Sequence, residues 1–160
     1  MKINHGALAL VSMIVGWCSQ ALVYYVTAFH AGFHDVIFWF YWTGLFIFVA
    51  WLVVFLPLTS FVSSESVFFS PRIAPLFGAV TGWGVSAILL GTFFGELAHI
   101  RDVFMSPLTV FGAITGATTG LAYSLLVRVT QLAQRISKLY GIIIAIVLCL
   151  LVAFPFLWKH

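Results

Sequence analysis

Five apolar runs, at 7–28, 36–58, 74–94, 108–127 and 140–158, divide this sequence, and none of them contains a charged side chain. Each is close to the ~20 residues that an α-helix needs to cross the hydrocarbon core of a bilayer. Lipid tails offer no partner to backbone N–H and C=O groups, so each run must pair them within itself. The ten-residue alternation of a membrane barrel is not seen. The predicted fold is all-α: a polytopic membrane helix bundle, a single domain of five transmembrane helices. A four-helix threading would require one run to lie flat or re-enter.

Composition closes the soluble alternative. The 160 residues are 63% hydrophobic and 7% charged, against about 25% charged in soluble domains. A soluble fold of this size has too much surface for its volume to hide so much apolar area. Lys2 followed by an apolar run resembles the start of a signal peptide. The run continues to Ala28, however, past the ~7–15 apolar residues of such a segment, and Trp17 beside Cys18 does not suit a lipoprotein cleavage site. A first spanning helix is expected there.

Charge sets the expected orientation. Threading the N-terminus inside places Lys2, Arg72, Arg128, Arg135 and Lys138 on the inner side and only Arg101 and Lys159 outside. The positive-inside rule reads this as N-in, C-out, and the expected location is a plasma (inner) membrane. The pI of about 9.1 comes from seven Lys and Arg against four Asp and Glu scattered over the loops. It is a topological signal, and no nucleic-acid partner is expected. Cys18 and Cys149 lie far apart in apolar runs, without the spacing of a zinc or thiol redox site.

Two connecting segments stand out. The inner loop 59–73 is Ser-rich and ends at Pro71, with Phe61, Phe68 and Phe69 suited to the inner surface. Segment 128–139 places Val129, Leu132, Ile136 and Leu139 at helical spacing, which predicts an amphipathic inner segment. Its Arg128, Arg135 and Lys138 are expected to meet anionic lipid headgroups.

The third and fourth runs carry the glycines. Gly112, Gly116 and Gly120 recur every four residues, and Gly78 and Gly82 do the same, so each set forms one helix stripe. Small residues let membrane helices approach closely where no hydrophobic force drives them together. Gly84, Gly91 and Gly95 fall near the opposite face of the third helix. That helix is therefore expected to be gripped from two sides, at the centre of the bundle. "FGAVTG" (77–82) and "FGAITG" (111–116) differ at one position. Antiparallel spans with level ends put them at different depths, so shared packing chemistry is expected rather than direct pairing or a transport repeat.

Thr81, Ser86, Thr115, Thr118 and Thr119 on the same helices define a possible polar path for an ion or solute. The competing expectation is that such hydroxyls bond to their own helix carbonyls. Intramembrane acids and bases, which usually mark pumps and coupled transporters, are missing from all five runs.

On the outer side, His30, His34 and Asp35 belong to the first loop, while Glu96 and His99 share the Glu-x-x-His spacing used by carboxylate metal sites in bundles. Together they form a candidate divalent-metal set, although Gly32 weakens a common helical face and a second Glu-x-x-His is missing. The aromatic residues Phe38, Trp39, Phe40, Tyr41 and Trp42 match an outer interfacial belt. No cofactor is required by these features. The expected function is a non-enzymatic accessory or scaffold subunit that associates with itself or other membrane proteins through its Gly-rich helices. The alternatives are a small channel or transporter on the third and fourth helices, and a metal-dependent membrane enzyme on the outer loops.

Overall fold

The structure, a computed structural model, describes residues 3–27, 32–57, 70–93 and 106–157. All its elements are helical: α1 (His5–Thr27), α2 (Phe33–Ala50, continued by a π-helical turn at Trp51–Phe55), α3 (Ala74–Phe93), α4 (Pro107–Arg128) and α5 (Thr130–Leu157). All five are long and apolar enough to cross a membrane.

Local chemistry accounts for the boundaries. Gly32, in an extended conformation, precedes α2, and its N–H donates to the Asp35 carboxylate at 3.1 Å. Ser106 caps α4, its Oγ accepting from the Leu108 N–H at 3.3 Å, and Pro107 follows where no N–H is needed. Between α4 and α5 only Val129 leaves helical geometry. The predicted amphipathic segment 128–139 is therefore not a separate element, because nothing between Thr130 and Tyr140 breaks the helix. It forms the first turns of a 28-residue α5. Within it Ala133 and Ile136 are buried, whereas Val129, Leu132 and Leu139 are exposed.

Packing centres on α4, which lies against α3 on one side and α1 on the other. Among the described residues the centre is therefore α4 and not, as expected from the glycines, α3. Among the described residues α3 packs substantially on α4 alone, and a side chain at Gly84 would meet nothing within 4 Å. The two glycine motifs, expected at different depths, face each other directly. A Cβ on Gly78 would strike the Gly116 carbonyl, one on Gly82 the Gly112 carbonyl, and one on Gly120 the Ala74 carbonyl. This register sets Pro107 beside Ala87, so α3 overshoots the start of α4 by residues 88–93, or about 9 Å of helix. Level helix ends were the wrong premise.

Helix α1 meets α4 by the same device, with the Cβ position of Gly16 occupied by Thr119 and by the Thr115 carbonyl. The Ser19 and Thr118 hydroxyls, 2.9 Å apart, add a bond across this contact. Helix α2 packs on α1 through Trp17, whose ring stacks on Phe40 at 3.9 Å and lies in the space that Gly44 leaves open. The Trp17 Nε1 donates to the Phe40 carbonyl at 2.9 Å.

The buried core gathers at the end of the bundle where α1 begins. Leu8, Leu10, Met13, Trp51, Tyr123, Ala133 and Ile136 form it, drawn from α1, α2, α4 and α5. Polar groups pin the same end: Trp51 Nε1 donates to the Gly6 carbonyl at 3.3 Å, His5 Nδ1 lies 3.0 Å from the Tyr123 hydroxyl, and the Asn4 N–H donates to Ser137 Oγ at 2.8 Å.

The glycine contacts make a paired prediction. Gly82→Ala and Gly116→Ala each place a methyl group against backbone that cannot swing aside, which should destabilise the bundle by about 1–3 kcal/mol. Gly84→Ala should be neutral or slightly stabilising, because its space is open. Thermal unfolding of the three variants in detergent checks the contrast.

Candidate functional site

The hydroxyls of α3 and α4 divide into two groups. Thr81 Oγ1 donates within its own helix to Phe77 or Gly78, at 2.9 and 3.0 Å. Thr118 Oγ1 lies 2.8 Å from the Ile114 carbonyl. Neither lines the cavity described next. Ser86, Thr115 and Thr119, in contrast, border a cavity of about 570 Å³ between α2 and α3, with α1 and α4 as its floor. The possible polar path on α3 and α4 does not run between those helices at Gly78, Gly82, Gly112 and Gly116, where their backbones touch. Three of its five residues instead reach a groove beside it.

This groove exists because α2 and α3, although both attached to the α1–α4 pair, make no substantial contact with each other among the described residues. Phe38, Trp39, Trp42 and Phe46 line the α2 wall, and Val85, Leu89 and Leu90 the α3 wall. Among the described residues none that lines the groove is charged. The aromatic run therefore does more than circle one helix. Phe40 stacks on Trp17, Trp39 stacks on Tyr24 at 5.2 Å, and the Tyr41 hydroxyl donates to the Leu151 carbonyl of α5 at 3.2 Å.

Besides hydroxyls, the described lining holds one carboxamide. Gln20 of α1 is only 5% exposed, and its Oε1 accepts from Thr115 Oγ1 at 2.7 Å. The Thr115 hydroxyl is also 2.9 Å from the Phe111 carbonyl. It has a single proton, so it serves either acceptor, and a carboxamide has both a donor and an acceptor end to satisfy. Trp39 Nε1 and Thr119 Oγ1 are fully covered without a hydrogen-bond partner among the described residues. The Thr119 oxygen faces Gly16, so neither atom is open to the groove. Sequence reasoning did not single out Gln20 as a site residue. Its signal was present, since it is the one carboxamide within the five apolar runs.

The candidate metal set divides across the described boundary. His30, Glu96 and His99, like Gly95 of the packing set, lie outside the described residues. His34 and Asp35 are exposed at the start of α2, and the Asp35 carboxylate accepts from the Gly32 N–H as a helix cap. Among the described residues no group of three or more His, Cys, Asp or Glu could hold a metal ion. Arg128, Arg135 and Lys138 are all exposed. The part of loop 59–73 that is described, from Ser70, forms the turn into α3, where the Ser70 carbonyl accepts from the Ala74 N–H at 2.8 Å.

The cap yields a prediction. Asp35→Ala removes an acidic group from the first turn of α2 and should destabilise the protein by about 0.5–1 kcal/mol at low salt. Asp35→Asn should retain the hydrogen bond and lose less. Denaturation of both variants in detergent, at low and high salt, measures the difference.

Comparison with family models, curated proteins and solved structures gives no match to this chain.

Proposed function

We propose that the protein is a non-enzymatic scaffold or accessory subunit of a plasma (inner) membrane, inserted N-in and C-out, which assembles with further membrane subunits through α5. The glycine stripes expected to serve that role are occupied within the chain, since Gly78, Gly82, Gly112, Gly116 and Gly120 hold α3 and α4 together. The observation that carries the proposal is the outer face of α5. Gly141, Ala145 and Cys149 recur every four residues and are all exposed, and a side chain at Gly141 would meet nothing within 4 Å. Only 6% of the apolar window of α5 is buried, the smallest share of the five helices. Small residues at this spacing permit close helix–helix contact in lipid, and the same chain uses that chemistry between α3 and α4.

The orientation draws on the positive-inside count, with Arg72, Arg128, Arg135 and Lys138 exposed towards the end where α1 begins. There the three basic residues of α4 and α5 are suited to anionic headgroups. A channel or transporter on α3 and α4 has weaker support, because Thr81 bonds within its own helix, Thr118 bonds within its helix and to Ser19 of α1, and no acid or base lies within the five apolar runs.

Cys149 makes the test direct. Copper-phenanthroline oxidation of membranes should yield a disulfide-linked dimer in the wild type and in Cys18→Ala, and none in Cys149→Ala. Gly141→Leu should lower the dimer yield at least tenfold by holding the two helices apart. A cross-link from position 149 to a second protein would support assembly with a different subunit. A strict monomer in native mass spectrometry, with no co-purifying protein, would contradict the proposal.

A further inference from the structure

The groove between α2 and α3 is concave. Here two walls and a floor enclose about 570 Å³, within the ~300–1,000 Å³ of pockets that hold small ligands. Its walls are aromatic on one side, with Trp39 and Trp42, and aliphatic on the other, with Leu89. Such walls suit an elongated lipophile with an unsaturated or ring-containing part.

The floor is specific. Gln20 is nine-tenths buried, and Thr115 satisfies only one end of its amide. Among the described residues no hydrogen bond is seen from the other end of that amide, and Ser86, whose Oγ also packs against Gly112, lines the same groove. Hydrocarbon cannot satisfy these groups, and leaving them open to lipid tails is unfavourable. An oxygen atom on a bound molecule satisfies them. Every lining residue among the described ones is uncharged, so an ionised headgroup would find no counter-charge among them and is disfavoured there.

From these features we infer that the groove is a binding site for an uncharged, elongated lipophile bearing one hydrogen-bonding oxygen, held by Gln20 with Ser86 beside it. The site is separate from the α5 face and does not depend on assembly. Quinone carbonyls and prenol hydroxyls share this chemistry, and the test distinguishes them. Purified full-length protein in detergent is incubated with decylubiquinone, with farnesol, or with the oxygen-free hydrocarbon farnesane, and bound molecules are counted by native mass spectrometry.

One oxygenated probe per chain is expected on the wild type, with farnesane retained at least tenfold less. Retention of decylubiquinone alone would assign the site to carbonyl acceptors, and of farnesol alone to hydroxyl groups. Gln20→Leu should weaken the retained probe at least tenfold. Leu89→Trp, which fills the groove from the α3 wall without touching Gln20, should abolish binding, with the helical content of both variants checked by circular dichroism. Failure to retain either oxygenated probe, equal retention of farnesane, or binding unchanged in both variants would overturn the proposal.

Discussion

The structure depends on how close α4 comes to its neighbours. Gly112, Gly116 and Gly120 bring its backbone against that of α3, and Gly16 brings α1 against Thr115 and Thr119. In lipid, apolar side chains gain nothing by leaving apolar solvent, so dispersion between closely packed backbones must supply the cohesion. That contact is short-ranged and intolerant of bulk. A single methyl group at Gly78 or Gly116 would meet a carbonyl that belongs to a helix and has nowhere to go.

From this centre the two ends of the bundle differ. Where α1 begins, Trp51, Tyr123 and Ile136 close the space around Leu8 and Leu10, and the polar contacts of Asn4, His5 and Gly6 tie α1 to α2, α4 and α5. Towards the end where α2 begins, α2 and α3 stay apart and the groove opens over Gln20. The separation follows from the same close packing. Helix α3 is held tightly on the far side of α4, while α2 is held on α1 by Trp17 in the notch left by Gly44.

Much of this was legible in the sequence, and the parts that were not have identifiable causes. Five apolar runs give five helices, because run length and the absence of charge are local properties. The glycine spacing predicts stripes, and the stripes do face a neighbour. Their partner was misjudged because depth was counted from level helix ends, and only the folded chain reveals the 88–93 overshoot of α3. Of the glycines expected on the other face of α3, Gly84 stands in open space, Gly91 is buried and Gly95 lies outside the described residues. The groove could not be read at all, since it lies between two helices that do not pack together. Its polar member, Gln20, was visible as a lone amide, yet nothing in its neighbouring sequence indicates Thr115 as its partner. Asp35 entered a candidate metal set by residue type, and the structure gives it a cap at Gly32 instead. His30, Glu96 and His99 lie outside the described residues.

The central claim is the register that sets Gly78 and Gly82 against Gly116 and Gly112. Solid-state NMR of the protein in bilayers, labelled with ¹³C only at glycine, tests it without altering a side chain. Interhelical cross-peaks are expected to join Gly82 to both Gly112 and Gly116 and Gly78 to Gly116, with Gly84 showing none. Well-resolved glycine signals without those cross-peaks, or a contact from Gly84 to a glycine of α4, would contradict it.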